Sequence, residues 1–400
     1  MTDQLSGSVV IVGSGPSGCY TAAAIRKAAP TTEVVVIDAL PTPFGLVRHG
    51  VAPDHQGMKS VTRQFDRVFR DGGARFVGGV RIGDDVSFNE LTEHFDAVVV
   101  ATGLPDDRPL DVPGADLPGV YGAGRIVRLL NSHPDADLRA GGVVPATGLG
   151  SDVAVVGAGN VAIDVVRLLA KPASELIGSD IDDDARALLC SQDVRRVQIF
   201  GRGTAEQAKW DASMLRELAA VSTVTLTVDG VLIGDPATTT PSVQVDARFG
   251  VRLQRIAASR EHLDVTLDAA GASEVARFDS IITAVGFVGS LTPVPDTGGS
   301  RVFTVGGCGS GVLGNLASNR KAAHATAAAV LISLGATADR RTGWATFETT
   351  LPHSVVDWSG WQRIDAAETA RADAERCRRK FFSREELHAI GSWTTRTVHQ

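Results

Sequence analysis

Residues Val9–Gly18 read VVIVGSGPSG, and CYTAAAIRKAA follows directly. Four apolar residues run into a turn built on Gly13, Gly15 and Gly18 and then into a helix-compatible stretch. The local reading is strand, tight turn, helix. In such a unit Gly13 permits the turn, Gly15 lets backbone approach a pyrophosphate, and Gly18 allows close helix–strand packing. Pro16 and Ser17 open the helix, whose unpaired N–H groups favour negative charge. Asp38 closes the next apolar run, VVVID, twenty residues after Gly18. A carboxylate there is placed to accept from a ribose hydroxyl, and it turns a weak glycine pattern into a dinucleotide-binding fingerprint.

A second fingerprint lies in VAVVGAGNVAIDVVRLLA, with Gly157, Gly159 and Ala162 at the three glycine positions and Asn160 and Val161 opening the helix. Its second strand, RRVQIFGRG, ends in Arg202 rather than an acid. A carboxylate would repel a 2′-phosphate, whereas Arg202 can pair with one. Two such units predict an α/β chain with two Rossmann-like dinucleotide-binding domains. Apolar runs ending in Ala-Thr-Gly103 and in Ala-Val-Gly286 read as buried parallel strands whose tips mark crossings between domains.

At 400 residues the chain exceeds one ordinary core. A net charge of −7 excludes a general nucleic-acid binder or a protein held on anionic lipid. No apolar run reaches the roughly 20 residues needed to span a bilayer, and the N-terminus lacks a basic leader, so a cytoplasmic protein is expected. Cys19, Cys190, Cys308 and Cys377 show no metal-type spacing and no C-x-x-C, so no metal site is expected.

Between the fingerprints, Pro41–Val61 is rich in Pro and Gly and reads as loop, yet Phe44, Leu46, Val47, Arg48, His55 and Lys59 suit wrapping a flat ring and its phosphates. SVTRQFDRVFRDGG reads as an amphipathic helix stopped at Gly72-Gly73. Alternation from Val224 to Glu274 predicts short antiparallel strands. Beyond Gly286, a strand, a glycine loop and a long helix recur. AAETARADAERCRRKFF reads as a mixed-charge helix, with Arg376–Lys380 as its solvated face.

Pro41–Val61, Gly157–Leu169, and SGVLGN with SNRKAAHAT at Ser310–Thr326 resemble the adrenodoxin-reductase-type ferredoxin–NADP+ reductases. LRELA at Leu215–Ala219 and WQRIDAAE at Trp361–Glu368 are also similar to that family. The resemblance implies a glutathione-reductase-like architecture, with an FAD domain at 1–105 and 288–400 interrupted by an NAD(P)H domain at 106–287. It implies hydride transfer from NADPH to flavin N5, then single electrons to a ferredoxin-type iron–sulfur protein. Gly13, Gly15, Pro16, Ser17 and Gly18 would hold the FAD pyrophosphate and Asp38 its ribose. Leu46, Arg48 and Gly103 would border the flavin, and Gly311, Val312 and Leu313 would offer backbone donors to its pyrimidine edge. Gly157, Gly159, Asn160, Val161 and Arg202 would face NADPH, and His55 and Glu217 would form a catalytic pair near the nicotinamide.

The chain departs from the family's pattern at several places. Gly203 follows Arg202 where the family has a second arginine, which leaves NADH possible as a donor, and Met214 replaces an acid. Gly306-Gly307-Cys308-Gly309 lacks the family's tryptophan, and the stretch after Asp229 is short and without the basic residues that meet an acidic partner. These departures keep a second reading open, an FAD-dependent oxidoreductase acting on a small organic substrate.

Overall fold

The computed structural model describes residues 6–136, 148–191, 193–234, 242–289, 301–337, 339–352 and 354–392. Ser8–Val12 is buried along its whole length, as a continuous apolar run demands of a strand covered on both faces. It sits at the centre of a five-stranded parallel sheet. The order is Val302–Thr304, Ala97–Val100, Ser8–Val12, Glu33–Asp38, Arg75–Gly78. Helices Pro16–Ala28 and Leu316–Ala336 pack on one face of it through Ala22, Ile25, Ala323, Ala327 and Val330.

A second, seven-stranded sheet runs Val231–Ile233, Val224–Val228, Val243–Phe249, Arg196–Gly201, Asp152–Val156, Ser280–Thr283, Val120–Gly122. Every pairing is parallel except that of the edge strand Val231–Ile233. Helix Asn160–Ala170 covers one face, and the antiparallel meander Val251–Ala258, Leu263–Ala269, Ala272–Phe278 covers part of the other. The chain leaves the first sheet and returns to it along one ribbon, in which Asp106–Asp107 pairs with Phe287–Val288.

Two expectations are corrected. Val243–Phe249 alternates in sequence yet pairs parallel with both neighbours, whereas Val224–Val228 is parallel to it on one side and forms the expected antiparallel hairpin with Val231–Ile233 on the other. Leu226 and Val245 face the helices, while Gln198, Thr227 and Asp246 line a cleft of about 520 Å³ on the other face. Alternation in Val243–Phe249 records one dry face, not antiparallel pairing. The C-terminal helix is also shorter than its charge pattern suggests. Trp358–Ala370 is helical, and the chain beyond it is irregular up to the helix Arg384–Gly391. Arg376 and Lys380 are only 3% and 7% exposed, so the basic cluster is not a solvated face.

Candidate nucleotide and hydride-transfer site

The three glycines of the first fingerprint meet three different surroundings. Gly13 has φ +106°, and a Cβ there would lie 2.5 Å from the Ala101 carbonyl oxygen. A Cβ on Gly18 would lie 2.0 Å from the Gly13 oxygen, so helix and strand touch through hydrogen alone. At Gly15 a Cβ would meet nothing within 4 Å, and the backbone opens onto free space at the start of helix Pro16–Ala28. Asp38 accepts from the Ser14 N–H at 2.8 Å and hydroxyl at 2.5 Å, and from the Leu40 N–H at 2.9 Å. Burial pushes its carboxyl up, and these bonds oppose the shift. The acid therefore fixes the glycine turn as well as presenting its remaining lone pairs.

The second fingerprint repeats the arrangement. Gly157 has φ +120° against the Ala284 carbonyl, Gly159 opens onto free space, and fully buried Ala162 fills the third position. The loop after Arg202 folds back over this turn. Lys209 bridges Gly159 and its N–H donates to the Ala158 carbonyl at 2.9 Å, while Asn160 and Asp211 exchange bonds of 2.8 and 2.7 Å. Arg202 is exposed and forms no ion pair among the described residues. Trp210 packs edge-on against Phe249, and Met214 joins the same partly buried cluster with Val161.

His55 Nε2 lies 3.0 Å from Glu217 Oε2, and its Nδ1 lies 3.7 Å from Asp164. Arg167, 1% exposed, bonds Asp54 and Asp164, and Lys171 reaches Asp54 at 2.8 Å. Burial pushes the Asp54 carboxyl up, but Arg167 and Lys171 outweigh it and leave it below the usual range. Burial dominates at Asp164 and raises it. His55 thus carries a loop of the first sheet's half onto helices Asn160–Ala170 and Ala212–Ala219 of the second. The sequence singled out His55 and Glu217, and the structure brings them together across 162 residues.

Around the predicted flavin border, Leu46 is 37% exposed while Arg48 is buried. Arg48 donates to Glu368 at 2.6 Å and lies over Trp361, and its Nε is buried without a hydrogen-bond partner. Gly103 has φ +72° with open space beside it, as does Gly311 at φ +69°. Val312 and Leu313 present exposed side chains and leave their backbone free of strand pairing. The open faces of Gly15 and Gly159, the orphaned Arg48 Nε and the Asp38 carboxylate fit two dinucleotides. The tryptophan missing at Gly307 leaves no gap at that glycine. A Cβ there would meet Leu104 at 2.8 Å, and Cys308 donates its thiol to the Val100 and Val305 carbonyls.

Sequence reasoning missed a buried group of charges joining the halves. Lys59 and Lys380 both bond Asp180, at 2.7 and 2.8 Å, and both bond the Asn131 side-chain oxygen. Lys59 is therefore engaged inside the protein rather than wrapped around a ligand. Burial pushes the Asp180 carboxyl up, but the two ammonium groups outweigh it and bring it down to about 2. Arg376 bonds Asp183 at 2.6 Å, and Arg378 joins Arg48 on Glu368. The signal was present as basic residues matched by Asp180 and Asp183, but their distance in sequence concealed it.

Residues 7–178 match the family model described as pyridine nucleotide-disulphide oxidoreductase. The chain is 36% identical to cindoxin reductase of Citrobacter braakii, over 94% of this chain and 89% of that protein. It is 32% identical to the NADPH-ferredoxin reductase FprA of Mycobacterium tuberculosis, over 96% of this chain and 98% of that one. The solved structure of FprA in complex with NADPH aligns with a TM-score of 0.83 at 28% identity, covering 96% of this chain and 99% of that one. All four cysteines here are free, so no disulfide links the two halves.

Proposed function

We propose that this chain, which belongs to the adrenodoxin-reductase-type ferredoxin–NADP+ reductases, takes hydride from NADPH and passes single electrons to an iron–sulfur protein. The observation that carries the reading is the pair of open glycine turns, Gly15 and Gly159, in a chain that also brings His55 and Glu217 together. Bound FAD supplies a hydride acceptor at N5 and a store that releases two electrons one at a time. Each NADPH then reduces two carrier molecules and leaves one proton in solution.

The chain's part is to bind, orient and exclude. Gly13, Gly15, Pro16, Ser17 and Gly18 hold the FAD pyrophosphate at a helix start, and Asp38 takes the ribose. Leu46, Arg48 and Gly103 border the ring, and the backbone of Gly311, Val312 and Leu313 meets its pyrimidine edge. Gly157, Gly159, Asn160 and Val161 hold the second pyrophosphate, with Arg202 directed at the 2′-phosphate and the Lys209 backbone bridged to Gly159. Four unpaired cysteines support a reducing, cytoplasmic setting. Among the described residues no helix is long and apolar enough to cross a membrane.

Anaerobic stopped-flow mixing tests the reading: NADPH should bleach the flavin rapidly, and steady oxidation of NADPH should need ferredoxin. Failure of both NADPH and NADH to reduce the flavin would overturn it. Arg202→Ala should weaken NADPH by about 1.5 kcal/mol, roughly tenfold in KM, and leave NADH unchanged. Equal losses for both would remove Arg202 from the 2′-phosphate. Hydride transfer needs no general base, so His55 is assigned to positioning. His55→Ala should slow flavin reduction by less than about tenfold, whereas proton carriers typically contribute 10²–10⁴-fold. The organic-substrate reading required space at Gly307–Gly309, and Leu104 stands against Gly307.

A further inference from the structure

The basic residues expected after Asp229 are missing, since Val224–Gly234 contains no Lys or Arg. An acidic carrier must then meet cations elsewhere. Helix Thr62–Arg70 is rich in arginine but carries Asp66 and ends at Asp71, which pairs with Arg70 at 3.0 Å. The Arg376–Lys380 cluster is tied to Asp180, Asp183, Glu368 and Asp373. One surface differs from both. Residues 310–338 include Arg320, Lys321 and His324 and not one Asp or Glu.

Arg320, Lys321 and His324 are exposed on the first turns of helix Leu316–Ala336 and form no ion pair among the described residues. With Tyr20, Leu316 and Ala317 they line a groove of about 470 Å³ beside helix Pro16–Ala28. The loop entering the helix exposes Val312, at 66%, and Leu313, at 38%. Arg320 stands five residues beyond the capping Asn315, about 8 Å along the axis at roughly 1.5 Å per residue. An apolar tip and a set of unopposed cations therefore adjoin on a protein whose net charge is −7.

We propose that Val312–Leu313 and the cations Arg320, Lys321 and His324 form the docking surface for an acidic iron–sulfur protein. The inference rests on the function proposed above, because the backbone of Gly311–Leu313 is there assigned to the flavin's pyrimidine edge. A carrier seated on the tip is then separated from the flavin by one loop. Charge complementarity steers the encounter and sets its salt dependence, while the small apolar contact supplies the dry centre that a transient interface needs. Salt screens exposed charges over about 8–10 Å, so the patch acts on a partner only at close approach.

The test uses the full-length flavoprotein with an acidic [2Fe–2S] ferredoxin as acceptor. Arg320→Glu with Lys321→Glu should raise the ferredoxin KM about tenfold or more at low ionic strength and flatten its dependence on salt. Flavin reduction by NADPH should stay within about twofold of wild type, and Arg320→Lys with Lys321→Arg should restore the ferredoxin KM. An unchanged ferredoxin KM with unchanged salt dependence would overturn the docking surface. A matching loss of flavin reduction by NADPH would also overturn it, since the defect would then lie before the carrier. If the wild-type protein accepts NADPH but reduces no ferredoxin, the proposed function itself falls and this surface falls with it.

Discussion

Gly15→Val is expected to give a folded, colourless protein. The new side chain meets no protein atom within 4 Å of its Cβ, so helix Pro16–Ala28 and strand Ser8–Val12 keep their packing. It occupies instead the open space that the proposed function assigns to the FAD pyrophosphate. Binding should fall by orders of magnitude while the far-ultraviolet circular dichroism stays that of wild type. Gly18→Val should behave oppositely. Its Cβ would sit 2.0 Å from a backbone oxygen, which no rotamer relieves, and the helix must leave the sheet. Loss of solubility or of cooperative unfolding is the expected result, with loss of FAD as a secondary effect. A Gly15 variant that unfolds, or a Gly18 variant that keeps its colour and melting temperature, would show that the two glycines had been assigned the wrong tasks.

Asp180→Asn should be the most damaging single change away from either nucleotide turn. It leaves Lys59 and Lys380 buried side by side without a counter-charge, and breaking a buried pair in this way costs about 3–5 kcal/mol. By contrast, Lys380→Met removes one of two cations and leaves the neutral pair Lys59–Asp180, so it should cost far less. Calorimetry of the two variants decides the matter: equal destabilisation would mean that packing, not charge balance, holds the site. The pH dependence has a definite sign. Asp180 is lowered to about 2 by its ammonium partners, so its contribution is complete above the unfolded value of about 3.9 and disappears as pH falls through 2. Asp180→Asn should abolish that acid-dependent component.

Much of the fold was legible because local rules act locally. Both glycine turns, the acid at Asp38 and the arginine at Arg202 announce themselves within some fifty residues, and the buried strands read as apolar runs. His55 and Glu217 were paired only through resemblance, since nothing in their own neighbourhoods joins them. The parallel placement of Val243–Phe249 was illegible because a strand with one wet face alternates whatever its direction. Arg376–Lys380 read as a solvated face because five residues rich in positive charge are normally exposed. Their acids lie some two hundred residues earlier, at Asp180 and Asp183, and only the folded chain sets them opposite one another.

That last arrangement orders the protein's assembly in time. A ribosome has released both glycine turns well before it makes Val302–Thr304, the outer strand of the first sheet, and later still Arg376–Lys380. The nascent chain can form each nucleotide turn as its own local unit, since domains fold as they emerge. The Lys380 contact that ties the halves through Asp180 waits until a further two hundred residues have been made. Full registration of the two turns through this contact therefore follows synthesis of Arg376–Lys380 and not of the turns themselves.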